Sequence, residues 1–158
     1  MTDFIQTHAD DQTVRWFHLF ELDLPGPTTI YWTDDQLPIF YGGHVYTPAV
    51  VTPDSISTEQ GQTATGNVTV GNADNVFGAY LFSSDITGSI LKVWQAWLDA
   101  TTPGQVPQLT RQVFLGRIDS VTLTRTATDS EVKLALGPYS DPTLKLIPTI
   151  LTSSLLKH

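Results

Sequence analysis

Apolar and polar positions alternate with a period of two along most of this chain. The clearest case is residues 14–24, VRWFHLFELDL, in which the even positions form one almost wholly apolar face. That face contains Val14, Trp16, His18, Phe20, Leu22 and Leu24, and the opposite face contains Arg15, Phe17, Leu19, Glu21 and Asp23. Because side chains alternate across a β-strand, the pattern predicts a strand here, ended by Pro25-Gly26-Pro27.

The same alternation, or a concentration of β-branched and aromatic residues, predicts the other strands. They are expected over residues 28–33, 37–41, 45–47, 52–59, 65–70, 112–125 and 130–136. Two of them flank Gly42 and Gly43, and glycine most easily adopts the positive φ angles that a tight hairpin turn needs. We therefore expect a hairpin turn at Gly42 and Gly43, with His44 directly after it.

Two segments depart from simple alternation. Residues 89–99, SILKVWQAWLD, are apolar on both faces, which predicts a central strand covered on both sides. Residues 72–82, NADNVFGAYLF, begin with the capping residues Asn72 and Asp74 and continue with apolar side chains at helical spacing. This second segment predicts one short helix.

After Gly137-Pro138 the alternation ends, and residues 140–158 carry many Leu and Ile side chains without a clear period. Exposed apolar side chains in such numbers usually mark a contact surface. We expect this extension to contact a neighbouring subunit through Leu144, Leu146, Ile147, Ile150 and Leu151.

The chain thus divides into an N-terminal arm (residues 1–13), one domain (residues 14–139) and a C-terminal extension (residues 140–158). The domain is predicted to be all-β, a single barrel-like or sandwich-like unit with one short helix. Its core is expected to include Trp16, Phe20, Trp94, Leu98 and Leu134.

Composition narrows the possible functions. Only 15% of the 158 residues are charged, against roughly a quarter in typical soluble domains. The net charge is −8 and the eight Lys and Arg residues do not cluster, which argues against specific nucleic-acid binding. No apolar run approaches the length of about 18 residues that predicts a membrane span, and the polar start MTDFIQTHADDQ does not resemble a signal peptide.

Candidate catalytic and metal-binding residues do not form recognisable patterns. The histidines His8, His18, His44 and His158 have no ligand spacing, and the chain contains no cysteine. Asp34 and Asp35 are adjacent, so they should point to opposite sides of an extended chain and serve in a turn rather than as a catalytic pair. Nucleophile-elbow, phosphate-loop and dinucleotide motifs do not occur. We therefore predict no enzymatic activity and no cofactor, and we leave open that aromatic side chains stack on a sugar.

The order of the segments resembles a known family. The motifs are G-x-x-Y-x-P at residues 43–48, V-x-V-x-N at residues 68–72 and D-x-x-G-x-x-L-x-V at residues 85–93, followed by Trp97-Leu98-Asp99. Each motif is short and degenerate, but their order and spacing over about residues 15–137 are similar to the N-terminal region of the minor tail protein L family of lambda-like siphophages.

The resemblance implies a structural protein of the virion tail tip, made in the bacterial cytoplasm. It implies β-barrel-like hub domains in a homotrimer, with the distal tail protein and the central receptor-recognition hub as partners. The C-terminal part of the family carries cysteines that hold an iron–sulfur cluster in lambda-like members. This sequence has no cysteine, so we expect no such cluster.

Three alternatives remain beside the tail-tip interpretation, and one of them is a hydrolase that acts on polysaccharide or peptidoglycan. A distal-tail or head-to-tail adaptor protein would form sixfold rings. A carbohydrate-binding β-sandwich module would use exposed aromatic side chains.

Overall fold

The computed structural model describes residues 14–56, 65–71, 86–99, 105–125 and 130–139. They form nine strands: β1 (Val14–Asp23), β2 (Thr29–Thr33), β3 (Ile39–Tyr41), β4 (His44–Pro48), β5 (Val51–Ile56), β6 (Gly66–Gly71), β7 (Ile90–Asp99), β8 (Leu109–Arg125) and β9 (Ser130–Pro138). The predicted all-β class is confirmed, and no helix occurs in these ranges. The predicted helix at residues 72–82 and the extension at residues 140–158 lie outside the described residues.

All nine strands belong to one mixed sheet in the order β3-β4-β2-β1-β7-β8-β9-β6-β5. Only β2 and β4 pair in parallel; the other neighbours are antiparallel. The sheet has two edges, β3 and β5, and is not closed into a barrel. The predicted all-β class is therefore confirmed, whereas the sheet is not the closed barrel that was one of the two expected architectures.

The connection between β4 and β5 shows that the two ends of the sheet approach each other. Only Ala49 and Val50 separate these strands, although β4 lies near one edge of the sheet and β5 forms the other. So short a connection spans only a few ångströms per residue, so the sheet must curl. Ala49 N–H donates to the Thr33 carbonyl (2.8 Å) and Gly71 N–H to the Val50 carbonyl (2.7 Å). These backbone bonds continue the β2–β4 and β5–β6 pairings into the connection, so that Ala49 is held to one end of the sheet and Val50 to the other.

Curling gives the sheet an inner face, which carries the larger core. The inner cluster contains Phe20, Leu22, Leu24, Trp32, Val68, Val70, Ile86, Leu91, Val93, Phe114, Ile118, Val132, Leu134 and Leu136. Phe20 stacks on Trp32, with ring centroids 5.6 Å apart and the rings nearly parallel. Side chains from six strands thus meet in one apolar interior, which the hydrophobic effect stabilises.

The outer face of β1 and β7 is also buried over half its length, because the β3–β4 hairpin packs on it. This outer cluster contains Phe17, Leu19, Ile39, Tyr46, Ala96 and Leu98. The prediction that residues 89–99 form a central strand covered on both sides is confirmed. On β1, by contrast, both faces are apolar cores, whereas the sequence pattern predicted one apolar face.

Strand β8 contains two bulges, and it pairs with a different neighbour in each part of its length. Strand β8 pairs with β7 and then with β9, and its register shifts at Val113 and at Asp119. Each extra residue reverses the alternation of the side chains that follow and bends the strand. Phe114 and Ile118 therefore face the inner cluster before the second bulge, and Val121 faces it afterwards.

The predicted core residues occupy different environments. Phe20, Leu98 and Leu134 are fully buried, and Trp94 is partly buried against the outer cluster. Trp16 is 61% exposed, contrary to the expectation that it lies in the core. Trp16 lies on the inner face, as the periodicity predicted, but at a position along β1 that the inner cluster does not reach.

Candidate interaction surface

The β3–β4 hairpin presents the most distinctive exposed apolar surface. Gly42 and Gly43 form its turn with φ angles of 59° and 82°, as the sequence predicted, and Tyr41 pairs with His44 across it. Residues alternate along both strands, so Ile39 and Tyr46 point inward while Phe40 and Val45 point outward. The hairpin therefore has one buried and one exposed apolar side.

Phe40 and Val45 lie directly opposite each other and are 50% and 51% exposed. Phe40 N–H donates to the Gln105 carbonyl at 3.1 Å, which brings the exposed Val106 close to Phe40. We name the four residues Leu37, Phe40, Val45 and Val106 the hairpin surface. Each of them is more than a third exposed, and none carries a charge.

His44 takes part in packing at the turn. Its ring stacks on Tyr31, with centroids 4.2 Å apart and an interplanar angle of 11°. Its Nε2 lies 3.3 Å from the Tyr31 hydroxyl. The stacking of His44 on Tyr31 joins the hairpin turn to β2.

The inward side of the hairpin is fastened to β1 by Tyr46. Its ring is fully buried, and its hydroxyl donates to Glu21 Oε1 at 2.5 Å. Burial and the neighbouring Glu21 carboxylate both raise the pKa of Tyr46. The hydroxyl therefore remains a donor throughout the neutral range.

A line of charged groups continues from Glu21 along the outer face. Lys92 Nζ lies 3.7 Å from Glu21 Oε2 and 2.9 Å from Asp23 Oδ2, and Thr29 donates to Asp23 Oδ1 at 2.8 Å. Burial acts to raise the pKa of Asp23, but the hydrogen bonds from Lys92 and Thr29 outweigh it and hold that pKa below its usual range. The hydrogen bond to Asp23 raises the pKa of Lys92. These contacts tie β2, β1 and β7 together beside the hairpin.

Asp34 and Asp35 fasten the chain between β2 and β3 to opposite faces of β1. Asp34 accepts the His18 backbone N–H at 2.6 Å and lies 2.7 Å from His18 Nδ1, on the inner face. Asp35 lies 3.2 Å from Arg15 Nε, on the outer face. This last contact is a close charge pair whose N–H is not aligned as a hydrogen bond. The prediction that the two carboxylates point apart in a connection between strands is confirmed.

Arg15 also holds the second segment that borders the hairpin surface. Its Nη2 donates to Gln105 Oε1 at 2.6 Å. Gln105 is a non-glycine residue with a positive φ of 51°, a conformation that needs support from its surroundings. Arg15 therefore joins Asp35, in the segment before β3, to Gln105, whose carbonyl accepts from Phe40 in β3.

In the ranges that the model describes, no group of three or more His, Asp or Glu side chains could hold a metal ion. Without cysteine, the chain has no thiolate ligands for an iron–sulfur cluster. The expected subunit-contact residues Leu144, Leu146, Ile147, Ile150 and Leu151 lie outside the described residues. No helix found in the described part of the chain is long and apolar enough to cross a membrane.

Sequence reasoning identified the turn but not the hairpin surface. The predicted strands 37–41 and 45–47 contain Phe40 and Val45, but the sequence pattern did not predict which side of the hairpin would be covered. The available signal was that FYGGHVY is apolar on both sides of a short hairpin, and one side of such a hairpin at the edge of a sheet must meet solvent or another surface. The anchoring roles of Arg15 and Tyr46 have no local signal.

No family model matches the sequence, and no curated protein sequence matches it. Among solved structures, the fold is similar to that of a chain in the virion of a native gene transfer agent (GTA) particle. The TM-score is 0.57 and the sequence identity is 15%, over 84% of this chain. The match covers 44% of the other chain, so this protein spans less than half of that protein's length. The likeness is therefore one of fold.

Proposed function

We propose that this chain is a structural protein of a phage-like virion and acts by binding other virion proteins. The observation that carries the proposal is the fold that it shares with a chain of the gene transfer agent virion, over 84% of its own length. The motifs at residues 43–48, 68–72 and 85–93 resemble those of phage tail proteins, and this expectation from the sequence agrees with the proposal.

The finer assignment is a minor tail protein at the tail tip. In this role the chain forms a homotrimeric hub that joins the distal tail protein to the central receptor-recognition protein, and it catalyses no reaction. The motif of residues 43–48 includes Gly43 of the turn, Tyr46 and Pro48, all of which belong to the β3–β4 hairpin. The motif of residues 85–93 includes Gly88, whose φ of 86° forms the turn before the central strand β7. The resemblance is thus concentrated at positions that determine the fold.

The hairpin surface supplies a physical basis for subunit contact. Phe40 and Val45 expose apolar area, and burying such area drives most protein association. The four residues of the surface are uncharged on a protein with a net charge of −8, so a partner can approach them without meeting fixed charge from these side chains. Tyr46, Arg15 and Asp35 hold the hairpin in place, so little conformational entropy is lost when it binds. The C-terminal extension would add contacts through its Leu and Ile residues.

The copy number tests the finer assignment. The chain is isolated with its partners from purified particles, and the mass of the complex is measured by native mass spectrometry. Three copies are expected for a tail-tip hub, whereas six copies would identify an adaptor or distal-tail ring and overturn the hub assignment. If the chain is missing from purified particles, the virion role itself is contradicted.

A further inference from the structure

A second exposed surface lies at one end of the inner face, on the side of β1 and β7 opposite to the outer face that the hairpin covers. There β1, β7 and β8 are in register, so that side chains form rows across the three strands. The first row contains Trp16, Trp97 and Leu109, and the second contains His18, Gln95 and Arg111. The third row, Phe20, Val93 and Phe114, is buried in the inner cluster. The first two rows therefore extend the inner face beyond its core.

These two rows combine aromatic and polar side chains. Trp16 is 61% exposed, its register partner Trp97 is half-buried, and Arg111 is exposed. Directly opposed side chains on neighbouring strands lie about 5 Å apart, so the two indoles are side by side. We name Trp16, Trp97, His18, Gln95 and Arg111 the tryptophan platform.

Neighbouring groups fix the orientation of the platform. The His18 ring meets Trp16 edge to face, with centroids 5.5 Å apart and an interplanar angle of 89°. Asp34 holds the same ring through Nδ1 at 2.7 Å, which leaves Nε2 on the opposite edge. A ring fixed by Asp34 supports the indole from one side and costs little conformational entropy when a ligand binds.

We propose that the tryptophan platform is a glycan-binding site, a property beyond the structural role proposed above. The faces of the indoles suit the C–H faces of sugar rings, since an aromatic ring offers a large apolar area with a negative electrostatic face. The imidazole, the amide and the guanidinium of the second row can donate to or accept from hydroxyl groups. The strands are about 4.8 Å apart, a spacing that suits consecutive rings of an extended glycan chain along the Trp16–Trp97 row.

Other ligand classes fit the platform less well. A stable protein interface buries roughly 800 Å² on each partner. Among the described residues, Trp16 is the one large apolar side chain of the platform that is mostly exposed. The other such side chains lie on the hairpin, in loops and at the end of β9. A nucleic acid would be repelled by the net charge of −8. The Arg111 guanidinium, the His18 imidazole and the Gln95 amide lie side by side in the second row and offer polar partners to the hydroxyl groups of a saccharide.

The four tryptophans make the test direct, because they lie in different environments. The full chain is screened on an array of bacterial lipopolysaccharide and capsular oligosaccharides, and hits are titrated by calorimetry and by indole fluorescence. Cellohexaose and chitohexaose serve as uncharged probes of defined length. We expect saturable binding that Trp16→Ala and Arg111→Ala each weaken by at least tenfold. Trp94→Phe is the matched control, since Trp94 packs on the outer face, and it should leave the affinity unchanged.

Two results would overturn the proposal. One is that no glycan on the array and neither hexasaccharide binds the wild-type chain. The other is binding that Trp16→Ala leaves intact. If Trp16→Ala abolishes incorporation into particles while no glycan binds, the platform is a protein contact instead. Circular dichroism of each variant checks that the fold is retained, as expected for the exposed residues Trp16 and Arg111.

Discussion

The hydroxyl of Tyr46 donates to Glu21 Oε1 at 2.5 Å, and this bond joins the β3–β4 hairpin to the central strand β1. The tyrosine ring is fully buried between the hairpin and the outer face of the sheet. Glu21 in turn lies 3.7 Å from Lys92 on β7, so its charge is partly compensated. The hairpin that carries the exposed Phe40 and Val45 is therefore held by both apolar packing and a charged acceptor.

Replacing Tyr46 by Phe should lower the free energy of unfolding by about 1.5–3 kcal/mol, the range for hydrogen bonds to charged groups. The ring and its packing are kept, so the loss reports the hydroxyl. Urea denaturation measures it, and Tyr31→Phe is the control because the Tyr31 hydroxyl lies 3.3 Å from the exposed His44, in a contact without a charged acceptor. Equal stabilities of the Tyr46→Phe and wild-type proteins would show that the hydrogen bond between Tyr46 and Glu21 does not stabilise the fold.

The same bond makes stability depend on alkaline pH. Burial raises the pKa of Tyr46 above its usual value, so the folded protein keeps the proton at a pH where the unfolded chain releases it. The stabilisation is complete below the ordinary tyrosine pKa of about 10 and is lost as pH rises above it. Free energies of unfolding measured from pH 8 to pH 11 should therefore fall more steeply for wild type than for Tyr46→Phe. Parallel profiles would contradict this assignment.

Replacing Arg15 by Ala should destabilise the protein, because it leaves the Asp35 carboxylate, 4% exposed, without a cation. Breaking a fully buried pair costs about 3–5 kcal/mol. Arg15 is itself 36% exposed, so we expect a smaller loss of about 2 kcal/mol. Arg15→Lys keeps the charge, but an ammonium group cannot contact both Asp35 and Gln105 as the planar guanidinium does. The stability of this variant should therefore lie between those of wild type and Arg15→Ala. Thermal denaturation ranks the three proteins, and a lysine variant as stable as wild type would show that charge alone is needed.

Gly116 is required for close packing between β8 and β9. A Cβ atom there would clash with the Phe114 ring and lie 2.7 Å from the Gly137 carbonyl oxygen. Gly116→Ala should therefore cost about 1–3 kcal/mol, as overpacked cores do. The penalty should shrink when it is measured in a Phe114→Leu background, where the ring is gone. An equal penalty in both backgrounds would place the strain in the backbone instead.

Much of the fold could be predicted from sequence because it depends on short-range patterns. The alternation in residues 14–24 predicted strand β1, the doubly apolar residues 89–99 predicted the central strand β7, and Gly42-Gly43 predicted the turn. Periodicity assigns a side chain to a face, but it does not say how far along a strand that face is covered. Trp16 shows the difference, since it lies on the predicted face and is exposed at its end.

The remaining features depend on pairing between distant strands. The parallel pair of β2 with β4 brings the hairpin onto the outer face, and no local pattern specifies it. The bulges at Val113 and Asp119 look like ordinary strand positions in the sequence. The partners of Asp35 and Tyr46 become visible only when β1 lies beside them. The contacts that hold the hairpin surface in place could therefore not be predicted from the sequence. The side chains of Asp34 and Asp35 were correctly expected to point apart.

The central claim is that the chain is a virion structural protein that binds its neighbours through the hairpin surface. It is tested most directly by supplying wild-type chain, or the double variant Phe40→Ser/Val45→Ser, to a phage deleted for the gene. The amount of chain in purified particles and the infectivity are then measured. We predict that wild type restores both, and that the variant folds, since both side chains are about half exposed, but is not incorporated. Infectious particles that assemble without the chain would contradict the claim.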